Sequence, residues 1–341
     1  MAVTLGDIAK RAAVSAATVS RVVNGRPDPR ISDTTRERVL RIATRLGYQP
    51  NPHARALVTG KTQVIAVWVA SVWYPFASEV ICYTQRYAEQ LGYDAIVKSY
   101  EGDLERQTQA MRELMSYVDG LLVVDRPGWL GALAEGNGHA RRPMVSVGVH
   151  IDEGAGDSVG VDLARGARDA VRHLWEQGCD RIAYVVPEHS NHPTEVRRMT
   201  YDRVIDGLGL EPEYIVTPRQ DDICAGAHAT LLEYAGDRGV PSGLFCCNDM
   251  TAIGALAAVA ARGLRIPMDV AVVGCDGLEM GRYLVPPLST IVQPVAEVCR
   301  LGIGLLVRRL EDPSAPPERR SLEAVFVPRA SSQRRTAVAT E

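Results

Sequence analysis

Between residues 4 and 47, apolar positions recur at helical spacing in three short stretches. The first begins at Thr4, a capping hydroxyl with Asp7 three residues on as its capping-box partner, and it sets Ile8, Ala9 and Ala12 on one face before stopping near Ala13. The second begins at Ser15, carries Val19, Val22 and Val23 on one face, and ends at Asn24-Gly25, a pair suited to a left-handed cap. The third runs from about Ser32 to Leu46, with Val39, Ile42, Ala43 and Leu46 inward and Gly47 closing it. Three such helices can share one small core. From Val64 the pattern changes. Apolar runs at 64–69, 94–97, 120–124, 144–149, 158–161, 182–186, 214–216, 243–246 and 270–273 read as strands. Amphipathic stretches between them, among them 76–91, 163–177, 223–235 and 249–262, have crossover length, so the strands are expected to form parallel sheets. About 265 residues of βα units exceed one comfortable core, which predicts an α/β body of two doubly wound subdomains with a cleft between them.

Charge separates the two regions. Residues 1–60 carry a net +6 and the remainder −9, within an overall −3. A small basic module on an acidic body points to a polyanion at one end. The 46% apolar content argues against disorder. The apolar run Val64–Trp73 is about ten residues, half of what a spanning helix needs. The first twenty residues lack a continuous apolar segment, so no secretory signal is expected and the reading is cytoplasmic. Seven cysteines without C-x-x-C spacing argue against a disulfide frame or a zinc cage and predict reduced, mostly buried thiols.

The two helices at 5–12 and 16–23, joined by Ala13-Val14-Ser15, have the spacing of a helix-turn-helix whose second helix enters the major groove. With the valines inward, Ala16, Ala17, Ser20 and Arg21 project outward, and Arg21 can fork onto guanine O6 and N7. The two alanines offer methyl groups suited to thymine methyls or close approach. Thr4, Thr18, Ser20 and Asn24 are candidates for phosphate contacts, with Leu5 and Ser15 in the same DNA-facing set. An ordinary cap or a solvated side chain is the alternative for each polar member.

The strings TLGDIAKRAAVSAATVSRVVNG and RISDTTRERVLRIATRLGYQPNPHARAL resemble the lactose/galactose repressor family of bacterial transcriptional regulators. The resemblance continues through TGKTQVIAVWVASVWYPF, SVGVD, CCNDMTAIGAL and VAVVGCDGLEMGRYLVPPLSTIVQP, and so spans residues 3 to 330. It implies a headpiece at 1–50, a hinge helix and linker at 51–60, and an effector-binding and dimerisation body at 61–330 of periplasmic-binding-protein type I architecture. The body divides into one subdomain at 61–160 plus 290–320 and another at 161–289 plus 321–330, and 331–341 is expected to be a flexible tail. The hinge matches residues 51–58: Asn51 can cap, Pro52 suits the first helical position, and Ala54, Arg55 and Leu57 share one short helix. By resemblance, Leu57 is the minor-groove wedge that kinks the duplex.

The same resemblance implies an effector pocket of Asp162, Arg197, Asn248 and Asp276, with Trp73, Tyr74 and Phe76 offering flat apolar faces to a sugar ring. Two carboxylates, an amide and a guanidinium can bracket vicinal hydroxyls. Asn248 is equally a helix N-cap, and Trp73 can be core. Some positions depart from the family pattern: Arg198 beside Arg197, with Thr200-Tyr201 in place of a glycine-aromatic pair, allows that assignment to slip by one, Gly277 replaces a second aspartate, and Cys275 replaces an aromatic. The expected partners are therefore double-stranded operator DNA of near-palindromic sequence, a second copy of the chain and a small molecule, most simply a sugar. A nucleobase effector or a protein co-regulator is the alternative. The polar tail lacks leucine heptads, which argues for a dimer rather than a tetramer. Gly156 to Gly160 matches G-x-S-x-G, but the segment before the serine is polar and the one after it continues as strand, so no nucleophile elbow and no enzyme are expected. Phosphate-cradling glycine motifs and paired metal-ligand histidines do not occur, so no cofactor is expected.

Overall fold

The computed structural model describes residues 3–334 apart from 26, 50–51, 70, 100–103, 126–141, 150–155, 189–194 and 219–221. The chain divides into two units, Met1–Gln63 and Val64–Glu341. In the first, every helix of the three-helix core starts at a hydroxyl that replaces a missing backbone acceptor. Helix α1 (Leu5–Ala12) has a full capping box, with the Asp7 N–H donating to Thr4 Oγ1 at 3.3 Å and the Thr4 N–H donating to Asp7 Oδ2 at 2.9 Å. Helix α2 (Ala16–Val23) is capped by Ser15 and α3 (Asp33–Arg45) by Ser32. Each such cap stabilises by about 1 kcal/mol, which matters because isolated eight-residue helices are marginal. Ile8, Ala9, Ala12, Val19, Val22, Val39 and Ala43 form the shared core. Helix α4 (Pro52–Thr59) follows, with Pro52 as its first residue.

The second unit holds two six-stranded sheets. The first contains β1 (Val64–Val69), β2 (Asp94–Ser99), β3 (Gly120–Val124), β4 (Met144–Gly148), β5 (Asp157–Asp162) and β11 (Arg319–Glu323), in the order β11-β5-β4-β3-β1-β2. The second contains β6 (Ile182–Pro187), β7 (Glu213–Thr217), β8 (Gly243–Cys246), β9 (Ala271–Asp276), β10 (Ser289–Val292) and β12 (Val325–Val327), in the order β12-β10-β9-β8-β6-β7. Helices α5 (Pro75–Gln90), α6 (Leu104–Leu114), α7 (Ala164–Glu176), α8 (Val196–Gly207), α9 (Ile223–Arg238), α10 (Asp249–Ala261) and α11 (Val295–Glu311) connect them. Strands β3, β6 and β9 are buried at every position, as strands covered on both faces must be.

The expected parallel sheets are present, with one exception: edge strand β12 runs antiparallel to β10. The subdomain boundaries also need correction. Thr290–Val292 pair with β9 in the second sheet, and Val161–Asp162 and Leu322–Glu323 pair with each other in the first. The chain thus crosses between sheets at each of these points, because pairing with a distant strand, and not proximity in sequence, selects the sheet. Residues 331–334 are no tail. Ser331 and Ser332 are fully buried. The Ser331 hydroxyl donates to the Val272 carbonyl at 2.7 Å and accepts from the Ser289 N–H at 2.8 Å, and Arg334 donates to the carbonyls of Pro267, Gly178 and Ser242. The rest of the expected tail, 335–341, lies outside the described residues. All seven cysteines are free thiols; five are buried, Cys224 is half-buried and Cys82 is exposed. Among the described residues no helix is long and apolar enough to cross a membrane.

Candidate DNA-binding and effector sites

On α2, the alternation of inward valines leaves Ala16, Ala17 and Arg21 exposed and Thr18 and Ser20 half-buried. The polar members carry structural duties as well. Thr4 completes its capping box, Ser15 and Thr18 share a hydroxyl contact of 2.9 Å, and Asn24 donates its amide to the Ser20 carbonyl at 2.8 Å, closing the helix. Leu5 is half-buried against the headpiece core, so much of its surface serves packing. On α4, Ala54 is exposed and Leu57 is 89% exposed. Asn51 and the side chain of Arg55 lie outside the described residues.

In the second unit, the predicted polar residues follow the C-terminal ends of strands, where doubly wound sheets bind ligands. Asp276 closes β9, is buried, and adopts a φ of 138°, a conformation that side chains rarely occupy. Its carboxyl accepts a hydrogen bond from the Tyr74 hydroxyl, which reaches it from the N-cap position of α5 in the other subdomain. The second oxygen accepts from Gln293 Nε2 at 2.9 Å. Gln293 Oε1 is buried and has no hydrogen-bond partner among the described residues. The departure at Gly277 has a steric reason: φ is +82°, and an added Cβ would lie 2.9 Å from Val292 Cα. Only glycine fits so tight a turn.

Behind Asp276 stands Asp249, whose carboxylate accepts from Thr290 Oγ1 at 2.6 Å and from the N–H groups of Leu278 at 2.7 Å and Gly277 at 3.0 Å. Burial, and then the Asp249 charge, push the Asp276 carboxyl up to about 8, against the opposing pull of the Tyr74 and Gln293 hydrogen bonds. Asp276 is therefore held closer to its neutral form than an exposed carboxyl would be. Burial similarly pushes the Tyr74 phenol well above its usual range, so it remains a donor.

Arg197, at the start of α8, is the buried member of the arginine pair, while Arg198 stacks its guanidinium 4.7 Å over Tyr214. Arg197 donates through Nε to Glu195 Oε1 at 2.8 Å and through Nη1 to the Cys247 carbonyl at 2.5 Å. Burial would raise the Glu195 pKa, but the Arg197 charge and its hydrogen bond outweigh that and hold the carboxylate below its ordinary range. The pair is internally neutral. Asn248 caps α10, accepting from the Thr251 N–H at 2.7 Å. Cys246, Cys247 and Cys275 are buried along the same strand ends; burial pushes all three thiols up, Cys247 to about 12, which leaves them unreactive.

The structure thus brings Tyr74 and Asp276 together, with the Arg197 charge acting on the same carboxyl. The other members differ from expectation. Phe76 packs in the main core, so its ring is no open face, because its position on α5 points at the sheet. Trp73 is not core but 87% exposed. Asp162 is exposed and accepts from the Ala164 N–H at 2.8 Å, which fixes the start of α7. Gln293, Asp249 and Glu195 went unrecognised in the sequence. Gln293 stands in the string STIVQP, whose strand β10 was not anticipated. Glu195 and Asp249 are visible only as residues beside helix starts. Among the described residues no group of histidine, cysteine and acidic side chains is placed to hold a metal.

Residues 4–51 match the family described as bacterial regulatory proteins, lacI family, and residues 171–332 match a periplasmic binding protein-like domain. The chain is 32% identical over 314 residues to the ribose operon repressor of Haemophilus influenzae, covering 91% of this chain and 93% of that protein. The chain belongs to the LacI family. It is similarly 33% identical over 316 residues to the transcriptional repressor PurR of Aliivibrio fischeri, covering 91% of this chain and 92% of that one. Among solved structures, the lac repressor dimer bound to operator and an anti-inducer superimposes with a TM-score of 0.85 at 26% identity, covering 97% of this chain and 99% of that one. This LacI-family chain is therefore a DNA-binding transcriptional regulator, and its relatives are repressors and not enzymes. The G-x-S-x-G match agrees: Ser158 lies buried within strand β5, with no helix directly after it.

Proposed function

We propose that two copies of this regulator bind a near-palindromic operator in the cytoplasm and that a neutral sugar held between the two body subdomains controls the binding. One headpiece makes too few contacts for useful affinity, whereas two reach half-sites about one helical turn apart. Arg21 reads a base edge in each half-site, Ala16 and Ala17 allow close approach, and Thr4, Leu5, Ser15, Thr18, Ser20 and Asn24 position the helix on the backbone. The hinge helix α4, with Asn51, Ala54 and Arg55, offers Leu57 to the minor groove, where an inserted apolar side chain offsets the cost of unstacking.

For the effector, the observation that carries the reading is the Asp276 carboxyl, buried between a hydroxyl from one subdomain and an amide from the other. An acid held toward its neutral form, an amide with an unpartnered oxygen and a guanidinium already neutralised by Glu195 suit neutral hydroxyls. Asp162, Asn248 and Trp73 complete the set at the strand ends. A nucleobase effector is the alternative: with Phe76 committed to the core, the exposed Trp73 is the flat face left to stack on a ring, so the purine arm of the screen decides between the two. A ligand that closes the cleft favours one body arrangement and so changes operator affinity without touching DNA. A thermal-shift screen of neutral sugars, sugar acids and purines, followed by operator titration with each hit, tests this. Stabilisation by purines alone would overturn the sugar reading.

A further inference from the structure

Between α2 and α3 the chain places an acidic side chain against the one arginine of α2. Asp28 Oδ2 lies 3.5 Å from Arg21 Nη1, and the same carboxylate accepts a two-pronged contact from Arg30, Nε to Oδ1 at 3.0 Å and Nη2 to Oδ2 at 3.1 Å. The Arg30 N–H also donates to Oδ1 at 3.0 Å, which ties the carboxylate to the loop backbone. The Asp28 side chain is only 8% exposed, whereas Arg21 is 45% exposed. The anchor is fixed and the arginine beside it is free to reach outward.

We propose that Asp28 is a positioning residue for operator selectivity, holding the Arg21 guanidinium in the plane from which it forks onto a base edge. The proposal rests on the assignment of Arg21 as a base reader. A long arginine side chain must give up most of its rotamers to make a bidentate contact, and a buttressing carboxylate removes part of that loss in advance. Hydrogen bonds from Arg30 hold the Asp28 pKa down at about 2, so the buttress is charged at any working pH. Two arginines share one carboxylate, which leaves the cluster with a net positive charge facing the polyanion. The acid still repels phosphate equally on every sequence. Asp28 therefore lowers nonspecific affinity and raises discrimination at one base pair, and a residue that only shaped the loop would not move these two quantities in opposite directions.

The experiment uses the full-length protein and selection from a randomised duplex library, with binding to a poly(dI-dC) duplex measured alongside at the same salt. Arg21→Ala is expected to flatten preference at one position per half-site, a contact worth roughly 5- to 150-fold in base discrimination. Asp28→Asn keeps an acceptor for the Arg30 N–H but loses the charge. It should flatten the same position by about fivefold or more while poly(dI-dC) binding stays equal or tightens. Arg30→Ala, which leaves Asp28 to Arg21 alone, should preserve or sharpen that preference. The proposal is overturned if Asp28→Asn retains full preference where Arg21→Ala loses it, if it weakens operator and poly(dI-dC) binding alike, or if Arg30→Ala flattens the position equally. Should Arg21→Ala flatten no position, the base-reader assignment itself fails, and the proposal fails with it.

Discussion

Replacing Asp276 with asparagine should make the stability of the body less dependent on pH. A carboxyl whose folded pKa lies above its unfolded value contributes stability that is complete below about pH 4 and is lost as pH rises through the folded value, here about 8. Moving a carboxyl from 3.8 to about 8 corresponds to a ceiling of about 6 kcal/mol at 1.36 kcal/mol per pH unit. An effective interior dielectric nearer 20 than 4 brings the expected loss between pH 5 and 8 to about 1 to 3 kcal/mol. For a body of this size that is a fall in Tm of about 2 to 10 °C. His173 acts in the opposite direction: burial lowers its pKa, so its contribution is lost as pH falls below about 6.5. The difference between variant and parent cancels that common background. The carboxamide retains an acceptor for Tyr74, and rotating the Gln293 amide by half a turn gives the new N–H groups the unpartnered Oε1. Scanning calorimetry from pH 5 to 8 should show the parent losing stability with rising pH relative to Asp276→Asn. Parallel curves would mean that Asp276 is ionised throughout and that its burial does not protonate it.

Leu57→Ala should leave Tm unchanged, within about 0.5 kcal/mol for so exposed a residue, yet weaken operator binding far more than nonspecific binding; equal operator affinity would sink the hinge assignment. Asp249→Ala strands the Thr290 hydroxyl and the N–H groups of Gly277 and Leu278, at an expected cost of about 2 to 4 kcal/mol by urea unfolding; a cost below about 1 kcal/mol would show that those bonds do not hold the turn. Arg197→Ala leaves Glu195 buried and unpaired, so about 3 to 5 kcal/mol of stability should be lost as well as ligand response. The double change Arg197→Met with Glu195→Gln should recover much of the stability but not the ligand response, and recovery of both would place the effector elsewhere.

Much of the headpiece was legible because its determinants are local. A capping hydroxyl at Thr4, Ser15 or Ser32, a valine face of period 3.6 and a closing glycine act within one or two turns, so spacing alone locates α1, α2 and α3. The long buried strands were legible for a related reason: β1, β3, β6 and β9 are covered on both faces and read as unbroken apolar runs. The tertiary structure decided what depends on partners distant in the chain. Strands β10 and β12 are short and β11 is polar and largely exposed, and their sheet membership follows from which distant strand each one meets, so the subdomain boundaries could not be read from pattern. Ser331 and Ser332 look like a polar tail, yet they are buried because Val272 and Ser289 present backbone groups that need them. At the cleft, sequence placed an aspartate at 276 and a tyrosine at 74 but not their contact, which joins residues 202 positions apart. Nor did it show that the Asp276 pKa is raised. That property belongs to burial and to the charge of Asp249 behind it, and a carboxyl acquires both only when the strands close around it.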